Sequence, residues 1–403
     1  MGKPEIRFKG YTDEWEQRKL IEVCDYVDYR GKTPTKTENG IFLVTAKNVK
    51  DGFIDYETSK EYISENAYEE VMRRGKPEIG DVLITTEAPC GNVAQVNKAD
   101  IALAQRIIKY RGHIGVVDNT YLKYYLLSPE FQKILNAKSS GGTVQGIKGS
   151  ILHQQKIIYP SYEEQKKIGQ HMDSLDHLIT LHQRKCEQTK KLKKYMLQKM
   201  FPQNGAKVPE IRFDGFTYDW EQRKLSELLE KYEDPVETPH DGYERVGIRS
   251  HAKGTFHSFV EPGKELDTAK MYRVAADKFI LNITFAWEHA VAITDNNDAG
   301  KLVSHRFPQF SFNPKLKPHF FKYLMLDKKF REHLELSSPG GAGRNRVLKI
   351  SDMLKYEIKL PSIEEQIKIG EYFDSLDHLI TLHQRKCDEL KKMKKYMLQN
   401  MFI

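Results

Sequence analysis

Two short patterns in the sequence resemble parts of catalytic motifs, but both are incomplete. Residues 282–285, Asn-Ile-Thr-Phe, have the ends of the Asp/Asn-Pro-Pro-aromatic tetrad that holds the amino group in adenine methylation, but they lack both prolines and no glycine-rich cofactor loop accompanies them. Residues 357–359, Glu-Ile-Lys, match the end of a nuclease pattern, but no convincing aspartate precedes them. GxxxxGK[ST], HExxH and GxSxG do not occur. The sequence therefore predicts a chain without a catalytic centre.

Two His-x3-Cys pairs, His182 with Cys186 and His383 with Cys387, have a spacing that a metal ion could use. Two ligands without acidic or further cysteine partners make a poor zinc site. We favour the alternative that these side chains belong to a helix seam, and we expect no metal. The four cysteines form no CxxC, which indicates a reduced, cytoplasmic protein without disulfides.

The composition is that of a large protein with an excess of basic residues. The chain has 403 residues and a formal net charge of +8, and this excess suits a polyanion such as nucleic acid without proving one. The longest apolar stretches fall well short of the ~20 residues that a membrane span needs. The N-terminal sequence has no apolar segment typical of a signal peptide, so we expect no membrane association.

A duplicated pair of constant segments frames two variable regions. Residues 4–20 and 209–225 share 13 of 17 positions, and residues 160–201 and 361–402 share 32 of 42. Residues 21–159 and 226–360, between these segments, cannot be aligned over most of their length. One frame holding two different inserts indicates one scaffold that presents two specificities.

The longer constant segments predict helices with a coiled-coil seam. Residues 163–200 contain no proline and a single glycine, and apolar side chains recur at alternating steps of four and three. The seam positions are Ile168, Met172, Leu175, Ile179, His182, Cys186, Thr189 and Met196, and Ile369, Phe373, Leu376, Ile380, His383, Cys387, Leu390 and Met397, with Lys193 and Lys394 as interruptions.

Charge predicts that these helices pack antiparallel. Residues 163–181 carry a net charge of −2 and residues 182–200 carry +6, and the second copy repeats this polarity with −4 and +4. Antiparallel packing sets each acidic half against a basic half, whereas parallel packing opposes like charges. We expect the variable domains at opposite ends of this spacer, related by a pseudo-two-fold axis.

The variable regions mix short strands with helices. GDVLITTEAPCGNVAQV (80–96) and residues 270–295 are predicted strand pairs, and residues 121–135 and 319–336 are predicted amphipathic helices. Each helix precedes a glycine-rich loop, at 139–152 or 337–354, and then a strand that ends at Pro160 or Pro361. Phe285 and Trp287 alternate as a buried strand face would.

The chain resembles the specificity subunit of type I restriction–modification enzymes over essentially its whole length. The resemblance rests on WEQRKL, GDVLI, SPEFQ, the glycine-rich loops and PSxEEQ, in an arrangement that runs through the chain twice. The resemblance implies an α+β fold: two globular α/β target-recognition domains separated by two long antiparallel coiled-coil helices, in a pseudo-two-fold internal repeat. The recognition domains would be 1–159 and 202–360, and the helices 160–201 and 361–403.

The resemblance also implies partners. Each recognition domain would read half of a bipartite target in double-stranded DNA, and the constant helices would bind two adenine-N6 methyltransferase subunits, which restriction subunits join. S-adenosylmethionine, ATP and Mg are expected on those partners and no cofactor on this chain.

Side chains that can read base edges or bind phosphate mark candidate DNA contacts. In the first domain these are Arg30, Lys32, Thr33 and Lys36 in a flexible turn, Thr45, Lys47 and Asn48 after an apolar strand, Gln105 and Arg106 at a strand end, and Gln145 and Lys148 in the glycine-rich loop. In the second they are Arg249, Ser250, His251, Lys253, His305 and Arg306, with Arg344, Asn345, Arg346 and Lys349 in the corresponding loop.

Two rival functions remain open from the sequence. A self-sufficient DNA enzyme with an unrecognised site would modify or cleave DNA without other subunits. A structural adaptor whose variable ends bind proteins would lack salt-sensitive, site-specific binding to duplex DNA.

Overall fold

The computed structural model describes residues 4–29, 33–141, 145–203, 205–265, 270–340 and 346–402. The chain divides into two compact units: unit 1 comprises Met1–Arg184 with Gln384–Ile403, and unit 2 comprises Lys185–His383. Each unit therefore includes the first half of one long helix and the second half of the other. The division predicted at 159/160, 201/202 and 360/361 follows the repeated segments instead, and it stays a prediction.

Unit 1 combines short strands and helices with halves of both long helices. Its described elements are β1 (Glu16–Lys19), α1 (Leu20–Val23), β2 (Cys24–Asp28), β3 (Ile41–Val44), β4 (Tyr62–Ile63), α2 (Tyr68–Val71), β5 (Val82–Thr86), β6 (Cys90–Gln95), β7 (Ile101–Leu103), β8 (Ile107–Gly112), α3 (Asn119–Leu127), α4 (Pro129–Lys138), α5 (Gly149–His153), β9 (Lys156–Tyr159) and the start of α6 (Tyr162–Lys199). A 3-10 turn, Glu65–Ala67, precedes α2.

The strand β5 lies at the centre of unit 1. It is buried along its length in the antiparallel order β2-β8-β5-β6. Because successive side chains of a strand point to opposite faces, Val82 and Ile84 enter one apolar core with α3 and α4, while Leu83 enters another beside the sheet β4-β3-β7. Burial of both faces explains why Val82, Leu83 and Ile84 form a continuous apolar run.

Unit 2 follows the same plan with different strands. Its described elements are β10 (Glu221–Lys224), β11 (Leu229–Tyr232), β12 (Pro235–Val236), β13 (Tyr243–Ile248), β14 (Thr255–Val260), β15 (Met271–Arg273), β16 (Phe279–Leu281), β17 (Val291–Ile293), β18 (Leu302–Ser304), β19 (Gln309–Phe312), α7 (Pro318–Leu324), α8 (Lys328–Leu336), α9 (Ile350–Met353), β20 (Glu357–Leu360) and the start of α10 (Ile363–Asn400). Leu225–Glu227 and Ala286–Glu288 form 3-10 turns. The sheets are β11-β19-β16-β17 and β12-β15-β18-β13-β14, and Ile280 faces the second core of the unit.

The short constant segments close each unit by pairing with the strand that leads into a long helix. β1 pairs antiparallel with β9, and β10 pairs antiparallel with β20. Arg7 forms a bidentate ion pair with Glu164, with both N–O distances 2.8 Å. Arg212 binds Glu365 in the same way at 2.7 and 2.8 Å. Since both glutamates are fully buried, these pairs account for PEIRF and EEQ recurring together.

The glutamine of each EEQ motif connects a long helix to the globular part of its own unit. Gln165 donates its amide to the carbonyls of Val116 and Pro160, both at 2.9 Å. Gln366 makes the equivalent bonds to the carbonyls of Lys315 and Pro361, at 2.9 and 3.1 Å. The repeated motif therefore fixes the helix start to the globular domain in both units.

The long helices pack antiparallel within each unit, as their charge pattern predicts. In unit 1, Ile168 and Met172 share an apolar core with Cys387 and Leu390, which come from the far end of the other helix. Lys394 pairs with Asp176 at 2.5 Å. Lys394, which interrupts the predicted apolar seam, therefore has an acidic partner on the other helix.

Unit 2 repeats this arrangement with the roles of the helices exchanged. Phe373 and Leu376 of α10 share a core with Met200, near the end of α6. Lys193 pairs with Asp377 at 2.5 Å. The seam prediction is confirmed in both units.

In each unit a tyrosine joins the helix pair to the globular part. The Tyr124 hydroxyl lies 2.7 Å from carboxylate oxygens of both Asp173 and Asp176, and Lys123 pairs with Asp173 at 2.5 Å. Burial, together with the two carboxylates, raises the pKa of Tyr124 well above its usual range. The tyrosine therefore stays a hydrogen-bond donor at neutral pH.

The same network recurs in unit 2. The Tyr323 hydroxyl bonds Asp374 at 2.6 Å and Asp377 at 2.9 Å, and Lys322 pairs with Asp374 at 2.7 Å. Burial opposes ionisation of Asp374, but the hydrogen bonds from Lys322 and Tyr323 outweigh it and hold the pKa of Asp374 below its usual value.

The cysteines of the His-x3-Cys pairs are buried. Cys186 is 3% exposed and Cys387 is 2% exposed. Across the described ranges, His, Cys, Asp and Glu side chains form no group of three that could hold a metal ion. None of the described helices combines the length and the apolar character that a membrane span requires.

Three predicted elements are corrected by the structure. The helix predicted over 121–135 is two helices, because Pro129 disfavours helical backbone at Ser128, which caps α4 by accepting from the Phe131 amide at 3.4 Å. The helix predicted over 319–336 is likewise divided into α7 and α8. The strand pair predicted over 270–295 is three strands, β15, β16 and β17, with a 3-10 turn between the last two, so Phe285 and Trp287 do not lie on a strand face.

Candidate nucleic-acid interface

In unit 1, three chain segments meet at the end of β5. The amide of Ile147 donates to the carbonyl of Thr86, and the amide of Thr86 donates to the carbonyl of Arg106, both at 2.9 Å. Ser140 and Gly146 pair through both backbone bonds, at 2.9 and 3.0 Å. A Cβ at Gly146 would lie 3.3 Å from the Thr86 carbonyl oxygen, so glycine allows this close approach.

This junction forms a polar cleft of 430 Å³ lined by Thr86, Glu87, Gln105, Arg106, Ser140, Gly146, Ile147 and Lys148. Arg106 has a left-handed backbone with φ of +72° and lies in the turn between β7 and β8. Its side chain is 47% exposed, and its guanidinium lies 3.3 Å from the Glu87 carboxylate. Lys148 is exposed beside it, and Gln145 is exposed in the same loop. The cleft thus offers cationic and amide groups on a fixed backbone, which suits an anionic polymer with readable edges.

Unit 2 contains the same junction. The amide of Leu348 donates to the carbonyl of Ile283 at 2.9 Å, and the amide of Ile283 donates to the carbonyl of Arg306 at 3.0 Å. Lys349 follows Leu348 and is exposed, as are His305 and Arg306. The same backbone hydrogen bonds therefore bring together an arginine, the segment at the end of a strand and the residue before a lysine in both units.

Beside this junction, Arg346 lies against an aromatic ring. Its guanidinium is 5.5 Å from the centroid of Trp287 and 3.6 Å from Glu335. The adjoining His289 is buried, and burial lowers its pKa; its Nε2 lies 2.9 Å from the carbonyl of Met325, so the neutral ring donates there. This hydrogen bond therefore holds the end of the 3-10 turn that carries Trp287.

The tip of the β13–β14 hairpin contacts the same turn. The amide of His251 donates to the carbonyl of Glu288 at 2.9 Å, and the Ser250 hydroxyl donates to the Glu288 carboxylate at 2.6 Å. His251 has a positive φ of +62° and is exposed. Arg249 stacks on Phe256 with 5.2 Å to the ring centroid, and Lys253 is exposed at the tip. The hairpin therefore extends the polar surface begun by Arg346.

The other candidates of unit 1 have mixed surroundings. Thr33 accepts a hydrogen bond from the Gln105 amide at 2.8 Å, which joins the turn that contains Thr33 to the strand end that contains Gln105. Lys36 pairs with Glu61 at 2.7 Å, and Lys47 is exposed. Thr45 is partly buried, and its hydroxyl donates to the Asn48 carbonyl oxygen at 2.7 Å.

Asn48 is a correction to the predicted contacts. It is fully buried, and its side-chain oxygen also accepts from the Thr45 amide at 2.9 Å, while its nitrogen donates to the carbonyl of Asp55 at 2.9 Å. Its hydrogen-bonding groups are occupied in holding the loop after β3. Asn48 therefore stabilises the loop but is not exposed to contact DNA.

Arg30, Lys32, Arg344 and Asn345 lie outside the described residues. Arg106 and Arg306 were each predicted as contacts, but their equivalence was not. A usable signal is the apolar strand followed by Gln-Arg or His-Arg and another apolar strand, in ALAQRIIKY and LVSHRFPQF. Without the backbone hydrogen bonds, so short a match in otherwise unalignable regions carries little weight.

Comparison with known proteins agrees with this arrangement. The family profile described as "Type I restriction modification DNA specificity domain" matches residues 12–191 and 218–392. The chain is 24% identical over 408 residues to the type I restriction enzyme MjaVIII specificity subunit of Methanocaldococcus jannaschii, covering 96% of this chain and 91% of the relative. It is 25% identical over 409 residues to the putative MjaX specificity subunit of the same organism, covering 96% and 92%.

The fold also resembles a solved structure, the crystal structure of the type I restriction-modification system S subunit from M. genitalium. The TM-score is 0.62 at 14% sequence identity, covering 100% of this chain and 99% of that chain. At this identity the likeness supports the fold alone.

Proposed function

The chain belongs to the type I restriction-modification DNA specificity family, and from that premise we propose that it reads a bipartite DNA target, one half with each recognition domain. Specificity subunits of this family are non-catalytic DNA-recognition subunits, and they act with methylase and restriction subunits. In this proposal the two long helices set the length of the non-specific spacer between the half-sites.

One observation carries the proposal: the same basic junction occurs in both units while its neighbouring side chains differ. Arg106 and Arg306 stand at equivalent backbone positions, but Gln105 in one unit is replaced by His305 in the other. A repeated cationic site suits two contacts with one polymer, and different polar neighbours suit two different base sequences.

We propose that the constant helices bind two methyltransferase subunits. In unit 2, a groove of 890 Å³ lies along the first half of α10, lined in part by Ile367 and Leu379. Both side chains are 41% exposed, and Leu178, which is equivalent to Leu379 in the repeat, is 39% exposed in unit 1. An exposed leucine at the same position of both helices supports binding of the same kind of partner twice. S-adenosylmethionine would be bound by those partners, and ATP and Mg by restriction subunits.

Domain exchange tests the division of labour. Residues 226–360 are replaced by the corresponding domain of another specificity subunit, and adenine modification is sequenced in cells that carry the chimaera and its partner subunits. We expect one half of the recognised sequence to change and the other half to stay, because each domain has its own core and its own junction. Replacing residues 21–159 is the matched experiment and should change the opposite half. If either exchange alters both halves, the modular proposal is wrong.

A further inference from the structure

Two cationic side chains are the same in both units although the surrounding residues differ. Arg106 corresponds to Arg306 because each accepts, through its carbonyl, the amide of the central junction residue. Lys148 corresponds to Lys349 because each follows the loop residue whose amide closes that junction. The other junction positions have changed, with Thr86 and Ile147 in one unit and Ile283 and Leu348 in the other.

Identity at these positions indicates which part of DNA they contact. Half-sites of different sequence present different base edges but the same phosphate backbone, and phosphate contacts orient a protein without carrying sequence information. Resting on the proposed function, we infer that Arg106 with Lys148, and Arg306 with Lys349, bind DNA phosphates and set the position of each domain on the duplex. The side chains next to the arginines, Gln105 and His305, then read bases.

The geometry of unit 1 supports a positioning role. The backbone of Arg106 is held by the Thr86 amide, and its side chain emerges from the wall of the cleft that Lys148 also lines. Glu87 lies 3.3 Å from the guanidinium and is 43% exposed. This carboxylate pairs with Arg106 in the free protein, and it opposes an approaching phosphate by like charge. Arg106 therefore exchanges one anionic partner for another when DNA binds.

The test measures affinity for two duplexes across a salt series, using the full chain assembled with its methyltransferase subunits. One duplex carries the bipartite target found by sequencing modified adenines, and the other has an unrelated sequence. For Arg106→Ala and Arg306→Ala we expect affinity for both duplexes to fall by the same factor, roughly fivefold at 0.15 M salt for one lost phosphate contact. The slope of log affinity against log salt should decrease by about 0.9 for each cation removed. The modified sequence should stay the same.

Three further variants separate phosphate binding from base reading. Arg106→Lys keeps the charge, so the slope of log affinity against log salt should stay unchanged, whereas Arg106→Ala should lower it. Glu87→Gln should strengthen binding to both duplexes, because it removes a carboxylate from the cleft. Gln105→Ala should instead lower the ratio of target to unrelated affinity. Melting temperatures check that each exposed substitution leaves the fold intact.

Two outcomes would overturn this inference. If Arg106→Ala relaxes the requirement at one base pair and leaves unrelated DNA unaffected, the arginine reads a base. If Arg106→Ala and Arg306→Ala change neither affinity, the cleft does not bind phosphate. Failure of the proposed function looks different: the unsubstituted assembly would then show no preference for the target duplex.

Discussion

At the scale of single residues, the glycines within the long helices have a steric role. A Cβ on Gly169 would lie 3.1 Å from the Thr120 Cβ and 3.2 Å from the Tyr121 amide nitrogen. A Cβ on Gly370 would lie 3.0 Å from the Cβ of His319. Both positions let the start of a domain helix touch the backbone of a long helix.

We expect Gly169→Ala to destabilise the protein although alanine favours helix. The propensity gain of about 1 kcal/mol is outweighed by crowding of roughly 1–3 kcal/mol, because the nearest atoms include backbone that cannot rotate away. Urea unfolding followed by circular dichroism should show an earlier midpoint. Ser174→Ala, an exposed position on the same helix, is the control and should shift the midpoint little. A later midpoint for Gly169→Ala would contradict the steric explanation.

Residue types alone predicted part of the candidate interface. Arg106, Lys148, Arg306 and Lys349 follow from their charge and from loops beside short strands, and they are exposed. Asn48 has the same kind of loop position, yet its amide is buried against backbone carbonyls. Burial depends on how the chain returns over a loop, and a local sequence pattern does not contain that information.

At the scale of elements, two lysine–aspartate pairs link the long helices in addition to their apolar contacts. Lys394 pairs with Asp176 in unit 1, at side-chain exposures of 17% and 30%. Lys193 pairs with Asp377 in unit 2, at 18% and 36%. Partial burial weakens screening by solvent, so these pairs contribute more than fully exposed ones.

Reversing one pair tests this account. We expect Lys394→Asp to cost about 1–3 kcal/mol, since it places a second carboxylate beside Asp176. Combining it with Asp176→Lys should recover part of the loss, and a double-mutant cycle measured by urea unfolding gives the coupling free energy. Lys395→Asp, at the exposed neighbouring position, is the control and should have a small effect. Strictly additive effects in the cycle would show that the pair does not stabilise the helices.

Periodicity and charge were sufficient to predict these helices because both signals extend over many residues. α6 and α10 have 38 residues each, and their bounds lie close to the predicted ones. The break between α3 and α4 is also marked in the sequence, by Pro129. The 3-10 turn between β16 and β17 is not, because contacts from the distant hairpin tip, through Ser250 and His251, help hold it.

At the scale of the whole molecule, the internal repeat determined the architecture that could be predicted. The constant segments, which are nearly identical in sequence, form the same strand pairs and the same ion pairs in both units, as in Arg7–Glu164 and Arg212–Glu365. The variable regions could not be aligned, and although their four-stranded sheets follow the same order, the second sheet has three strands in unit 1 and five in unit 2. Which bases each domain reads depends on how its surface meets the DNA grooves, which sequence pattern does not specify.

The proposed spacer function makes helix length a quantity that can be varied. One heptad inserted between Leu181 and His182, and another between Leu382 and His383, would keep the seam register. Asp176 and Lys394 would still meet, as would Asp377 and Lys193, because each insertion lies between the two charged positions of its helix. The insertion adds about 10 Å of helix, which corresponds to about three base pairs of duplex.

We therefore expect the doubly extended protein to recognise both original half-sites across a spacer longer by up to about three base pairs. Bending of the DNA can absorb part of the added length, so an increase of about one or two would also agree. Sequencing of modified adenines in cells carrying the extended chain and its partner subunits measures the spacer directly. A heptad in only one helix is the control, because the two lysine–aspartate pairs then cannot both form and the protein should unfold at lower urea concentration. An extended protein that folds, assembles and still modifies sites with the original spacer would falsify the idea that the helices set the distance.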